Sequence, residues 1–289
     1  MRVPNARAWT LPDGLRRIGR TWTGRTGAAI IAVLLITALG APLLAPYDPL
    51  AIGPLRLASP SAAHLFGTDE VGRDLLSRTM YGARWSLGAA ICALALVVSL
   101  GIAIGSVAGY FGGWLDAILM RASDIVLAVP PLVLTLAIVG LFRPGLSTIV
   151  IGLSAVWWVR YARLTRAFVL RGRELPFVEA ARALGASHSR ILIHDVVPQA
   201  LAPVIVVATL DVGTLILAVA GLSFLGLGAQ PPTPEWGTMI NEGKNLLFTS
   251  PRVMLVPGAA LAITVAGFNL VGEALYEAVG VDAVRTPWF

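Results

Sequence analysis

Apolar residues in this chain come in long runs, and the short stretches between them hold nearly all the charge. A bilayer's hydrocarbon core is about 30 Å thick, and a helix crosses it with about 20 apolar residues. Six runs have that length: 27–46, 84–109, 117–142, 147–168, 199–226 and 253–275. Backbone in lipid finds no water, so each run must satisfy its own N–H and C=O groups as a helix. The pattern predicts an all-α, polytopic membrane protein with six transmembrane helices and no separate soluble domain. It divides the chain into a basic tail (1–26), a first span (27–46), a polar loop (47–83), a core (84–275) that includes a polar loop at 169–198, and a C-terminal tail (276–289).

The basic residues orient these spans. The tail carries Arg2, Arg7, Arg16, Arg17, Arg20 and Arg25 against Asp13. The stretch 160–190 carries Arg160, Arg163, Arg166, Arg171, Arg173, Arg182 and Arg190 against Glu174 and Glu179. The 47–83 loop is balanced, with Arg56, Arg73 and Arg78 facing Asp48, Asp69, Glu70 and Asp74. Positive charge marks the cytoplasmic side, so both the tail and the 169–198 loop belong there. Four crossings separate them, which is consistent, and six spans return the C-terminus to the cytoplasm. The tail precedes an apolar run without a small-x-small cleavage site and reads as leading into an uncleaved first span. Within it, residues 10–25 read either as a basic surface helix, with Trp9, Leu15, Ile18 and Trp22 as apolar members, or as a loose basic tail.

Composition agrees. The chain is 56% hydrophobic and 13% charged, against roughly 25% charged in soluble domains. The net charge of +6 lies at the ends of apolar runs, so it reflects topology and membrane lipids and not a nucleic-acid partner. All 22 basic residues except Lys244 are arginine. Gly243-Lys244 is followed by Asn245 and lacks the upstream Gly of a phosphate-binding loop, so the chain is not its own P-loop ATPase. The single cysteine, Cys92, excludes an internal disulfide and reads as a small core hydrophobe. His64, His188 and His194 lack ligand spacing, and no Gly-x-Ser-x-Gly motif is present, so neither a metal nor a catalytic site is expected.

The polar loop at 169–198 has the most specific grammar. Pro176 suits the first turn of a helix, where its missing N–H costs nothing. Glu179 near that N-terminus suits the helix dipole. Ala180, Ala181 and Ala183 leave a slim face beside Arg182. Gly185 suits the left-handed position just past the helix end. Ser187 can cap a second short helix through Ile191 and Leu192, and Pro198 can open the fifth span.

Glu179-Ala180-Ala181 with Gly185 and Pro198 at fixed distances resembles the Glu-Ala-Ala loop of bacterial ATP-binding-cassette (ABC) importer permeases. Three more segments resemble one subfamily, the second permease of peptide and nickel importers (oligopeptide/dipeptide permease C-type). They are His64-Leu65-Phe66-Gly67-Thr68-Asp69-Glu70-Val71-Gly72-Arg73-Asp74 with Leu76-Ser77-Arg78 and Tyr81-Gly82-Ala83-Arg84; Leu222 to Gly228 with Gln230-Pro231-Pro232-Thr233-Pro234 and Trp236-Gly237; and Asn269-Leu270-Val271-Gly272. Asp195 departs from the loop pattern, which usually has His or an apolar residue there.

The resemblance implies the ABC importer permease fold in the bacterial cytoplasmic membrane. It implies a homologous second permease, two ABC ATPase subunits, one docked on the cytoplasmic loop of each permease, and an extracytoplasmic solute-binding protein. ATP and Mg2+ then sit on the ATPases, and this chain binds no cofactor. The cargo expected is a short peptide, or else nickel or another small solute. An ATP-independent secondary transporter is the rival reading and leaves the loop unexplained.

Other positions carry two readings each. Asp211, inside the fifth span, is a pore-lining carboxylate for a cationic solute group or an interhelical ion pair. Pro130 and Pro131 kink the third span, either along the transport path or for packing alone. Gly101, Gly105 and Gly109 form a small-residue face expected to meet another permease. Arg160, Arg163 and Arg166 share a helical face that reads as anchoring in lipid headgroups or as meeting an acidic patch on the ATPase, and Arg121 and Asp124 read as an ion pair or as snorkelling side chains. The charges of the 47–83 loop read as a solvated face, with Thr68 and Asp69 as caps and Gly67 and Gly72 as turn residues, or as a direct contact for a solute-delivering protein.

Overall fold

The computed structural model describes Gly19 and residues 21–279. The basic tail before Gly19, Arg20, and the end of the C-terminal tail lie outside the described residues, and so does most of the surface helix considered for 10–25. Among the described residues the secondary structure is helical, apart from one isolated bridge, Thr68–Asp74.

The helices in chain order are α1 (Trp22–Leu44), α2 (Leu75–Phe111), α3 (Gly113–Leu127), α4 (Pro131–Gly140), α5 (Leu146–Gly172), α6 (Pro176–Ala183), α7 (His188–Phe224), α8 (Trp236–Gly243) and α9 (Arg252–Val279). Four are long and apolar enough to cross a membrane: α1, α2, α7 and α9 as far as Glu277. The predicted runs at 27–46, 84–109, 199–226 and 253–275 fall on them. The run at 147–168 falls on α5, which the arginines at its far end make less apolar.

The predicted third span is more than kinked. Its two halves, α3 and α4, meet at 84°. Pro131 is the first residue of α4 and Pro130 is its extended N-cap. Pro131 disfavours helical dihedrals in Pro130, and neither ring nitrogen can donate to the turn before it. Two adjacent prolines therefore end α3 and begin a new helix in another direction.

The core is built on a tight seam between α2 and α5. Gly101, Gly105 and Gly109 are buried along it. A Cβ at Gly109 would stand 2.9 Å from the Arg166 carbonyl, and one at Gly101 or Gly105 would collide with Tyr161 or with the Ala162 backbone. This corrects the expected role of the glycine face, which closes an internal seam of this chain. A second close crossing joins α1 to α9, where a Cβ on Gly27 would meet the Gly267 carbonyl at 2.9 Å. Leu87, Val97, Ile149, Leu153 and Ile216 fill the interior between α2, α5 and α7. Cys92 is exposed on α2, not in the core as expected.

Helix α8 closes the end of the bundle where α2 begins. Glu235 caps it, accepting from the Thr238 N–H at 2.9 Å and from Ser86 Oγ at 2.8 Å, and is fully buried. Trp236 is buried beside it and donates Nε1–H to the Thr79 carbonyl at 2.9 Å. Gly82 and Gly237 permit this packing, for a Cβ on either would strike Trp236 or the Ala220 backbone. The Gln-Pro-Pro and Trp-Gly segment noted in the sequence is thus a wedge between spans α7 and α9.

Candidate coupling surface and charged sites

The residues singled out in the sequence fall at three levels of the bundle. At one end, α6 lies across the ends of α2 and α5. Leu175 is its extended N-cap and Pro176 its first residue. At the other end of α6 the Gly185 N–H bonds to the Arg182 carbonyl and the Ala186 N–H to the Ala181 carbonyl, both at 3.0 Å. This pair of bonds is the Schellman closure. It requires the left-handed backbone seen at Gly185, with φ +81.

One residue fixes α6 to the bundle. Val178 is fully buried among Tyr110 of α2, Val169 of α5, and Ile191 and Val196 of α7. Burying a Val side chain contributes about 1.5–3 kcal/mol. The opposite face, Glu179, Ala180, Arg182 and Ala183, is exposed, and Ala181 is half-buried beneath it. Phe177 and Leu184 project from the two ends of α6, with Leu184 88% exposed. Arg182 also lies 5.8 Å over the Tyr110 ring, and Tyr110 Oη is 3.1 Å from His188 Nδ1.

Ser187 caps the next turn, accepting from the Arg190 N–H at 3.4 Å. The chain then enters α7, and Pro198 is the second residue of its α-helical part, Val197–Phe224, at the opening position expected, though no break precedes it. Ile191–Val196 is a π-helical stretch, and the Val197 N–H bonds back to the Leu192 carbonyl. The wider turn takes up the residue whose donor Pro198 lacks, so the proline is accommodated inside a continuous helix. Asp195 lies in this stretch, where its backbone carbonyl accepts from Gln199 Nε2 at 2.8 Å.

In the middle level Asp211 of α7 is buried. One carboxylate oxygen accepts from Arg160 Nη1 at 2.8 Å and the other from the Tyr161 hydroxyl at 2.8 Å, both on α5. Asp211 is therefore an interhelical partner. It does not present its charge to a passing solute, as the pore-lining reading supposed. Arg163 and Arg166 repeat the arrangement towards the α6 end. Arg163 pairs with Asp124 at 2.5 Å, and Arg166 holds Asp116 through two bonds at 2.5 and 2.6 Å. Each of the three arginines meets a carboxylate of this chain where lipid phosphates were expected, and Asp124 goes to Arg163 and not to Arg121.

At the far end four of the seven charges of the 47–83 loop are buried, against the solvated reading, while Asp48, Arg56 and Glu70 are exposed. Asp69, Arg73, Asp74 and Arg78 are each under a tenth exposed. Arg73 Nε bonds to Asp69 at 2.6 Å, Arg78 Nη2 to Glu242 of α8 at 2.7 Å, and Arg73 Nη2 reaches Glu242 at 3.4 Å. Asp74 accepts from the Ser77 N–H at 2.8 Å and lies 3.0 Å from His64 Nδ1. The tight turn at Gly72, with φ +84 and no room for a Cβ beside the Gly53 backbone, brings Asp69 and Arg73 together. The sequence did not nominate Glu242 as the distant partner. A near-equal count of opposite charges beside two turn glycines was the available signal, because a solvated face needs no such balance.

No group of three or more His, Cys, Asp or Glu residues able to hold a metal occurs among the described residues.

Comparison with known proteins fits this arrangement. Residues 101–281 match the family described as binding-protein-dependent transport system inner membrane component. The chain is 44% identical over 257 residues to the nickel transport system permease protein NikC of Escherichia coli K12, covering 89% of this chain and 93% of that one. It is 41% identical to the dipeptide transport system permease protein DppC of Alkalihalophilus pseudofirmus, covering 92% and 88%. It is 37% identical to the glutathione transport system permease protein GsiD of an Escherichia coli O6 strain, covering 91% and 88%. Among solved structures, the inward-facing MetNI methionine ABC transporter is similar in fold, with a TM-score of 0.56 at 21% identity, over 71% of this chain and 96% of that one.

Proposed function

This chain belongs to the family of binding-protein-dependent transport system inner membrane components, and from that premise we propose that it is the permease of an ABC importer that α6 couples to an ATPase subunit. It works with a homologous second permease, two ABC ATPase subunits and an extracytoplasmic solute-binding protein. It crosses the bacterial cytoplasmic membrane six times, with α5 and the α3–α4 elbow added to the four apolar spans, and has both termini in the cytoplasm. It performs no catalysis itself, and ATP and Mg2+ are held by the partners. The cargo is a short peptide. A nickel species is the second reading, favoured by the 44% identity to a nickel permease.

The observation that carries this reading is the build of α6. A helix held by one buried side chain, closed at its end and presenting Glu179 to Gly185 outward is a rigid knob on the end of three spans. ATP-driven motion of a partner gripping that knob would pass through Val178 into α2, α5 and α7. The shift between inward- and outward-open states must then come from the partner's differential affinity for the two.

Glu179→Lys tests it, with ATPase co-purification and ATP-dependent uptake both scored. Loss of both, in a protein that still inserts in the membrane, is expected. Retention of both would remove the coupling role.

A further inference from the structure

Arg160 stands where an arginine facing lipid would be costly. It lies about 21 Å from the Leu146 end of α5 and about 18 Å from the Gly172 end, at 1.5 Å per residue. At that depth a charged side chain faces a cavity or a partner. Its carboxylate, Asp211, is only 7% exposed, yet the Arg160 side chain is 62% exposed. Nη1 is committed to Asp211, and among the described residues the guanidinium donates no other hydrogen bond. Part of a planar donor fork is thus presented outward, in the arrangement that recognises carboxylates.

A groove begins one helical turn from this pair, although Arg160 itself does not line it. One helical turn away on α5, Trp157 lines an apolar cleft of about 580 Å3 between α4, α5 and α7, and Thr214 lines it one turn beyond Asp211 on α7. Pro131, which starts α4, aims that helix so that Leu132 and Leu136 form the opposite wall.

We propose that Arg160 faces the aqueous translocation path and receives a carboxylate of the passing solute, with Asp211 and Tyr161 holding the guanidinium in place. The inference rests on the permease reading and inverts the polarity first expected at this depth: the solute meets a cation, and the buried aspartate is a positioning residue. A free peptide C-terminus and a carboxylate-bearing metal chelate would both satisfy it.

The first test needs no knowledge of the cargo. In the assembled complex with Cys92→Ser, Thr214→Cys gives this chain a single thiol one turn from Asp211, and labelling is scored on this chain after the subunits are separated. Two methanethiosulfonates are compared, one anionic and one cationic. The anionic reagent should react about tenfold faster, and the combined change Arg160→Gln with Asp211→Asn should abolish that preference; tenfold corresponds to about 1.4 kcal/mol. The double change avoids leaving Asp211 buried without its cation. No labelling by either reagent, or a preference unchanged in the double variant, would overturn the proposal.

The second test separates the sources. Preferential uptake of dialanine over its C-terminal amide, lost in the double variant, assigns a peptide carboxylate; uptake of nickel–citrate sensitive to the same variant assigns a chelate. Equal handling of dialanine and its amide by the unaltered complex overturns carboxylate recognition of peptides. Failure of the permease reading would appear separately, as absence of the ATPase from the purified complex.

Discussion

Arg78, in the first turn of α2, and Arg182, on α6 against the last turn of α2, mark opposite ends of that long helix, and the fold treats them in opposite ways. Arg78 is 1% exposed and tied to Glu242, with Asp69 3.5 Å away. Arg182 is exposed on α6, over the ring of Tyr110 at the far end of α2. The first end satisfies its charge within the chain, through contacts far apart in sequence. The second holds its backbone rigidly and leaves its charge outside. An end that has spent its polar groups internally is a clamp, and an end that keeps them available is a contact surface.

The contrast can be broken at the clamp first. Arg78→Leu should destabilise the protein by about 3–5 kcal/mol, because it removes the cation 2.7 Å from Glu242 and leaves Asp69 and Glu242 to share Arg73 in a largely buried site. Thermal unfolding in detergent would measure this; a loss under 1 kcal/mol would mean that the network is solvated. Next comes the seam that joins the two ends. Gly105→Leu should cost about 3 kcal/mol or more, since the Ala162 backbone opposite cannot retreat as a flexible side chain would.

A smaller effect is expected at the α6 closure. Space around Gly185 is open, so Gly185→Ala carries only the left-handed backbone penalty, about 1–2 kcal/mol. It should appear as faster proteolysis of the 176–187 segment with the bundle intact. The smallest shift in stability belongs to Arg182→Ala, within about 0.5 kcal/mol for an exposed residue. If ATPase co-purification falls in that variant while its melting temperature stays put, the two ends differ as described. A melting shift comparable to that of Arg78→Leu would erase the contrast.

Much of this was legible in the sequence where the cause is local. Apolar runs gave the helices, because backbone in lipid has one way to satisfy itself. Pro176 and Gly185 marked the ends of α6, since one lacks a donor and the other admits positive φ. The reading stopped where a partner lies far along the chain. Nothing near Arg78 points to Glu242, and nothing near Asp211 points to Arg160 and Tyr161. The glycines of α2 announced a close contact without saying with what. The two prolines announced a bend, but its 84° is set by how α4 packs on α5.

One dimension of the molecule has a mechanical consequence. Helix α2 has 37 residues and is about 55 Å long at 1.5 Å per residue, well beyond the hydrocarbon layer it crosses. Locked to α5 at Gly101, Gly105 and Gly109, in its last third, it is a stiff beam with a short arm towards Tyr110 and a long arm towards Arg78. Tilting it by about 5° about Gly105 would move Tyr110 by about 0.7 Å and Arg78 by about 3.5 Å in the opposite direction, at 1.5 Å per residue. A push at Tyr110 would therefore arrive at Arg78 magnified about fivefold. The salt-bridged end would be the place where the stroke of the beam is felt on the other side of the membrane.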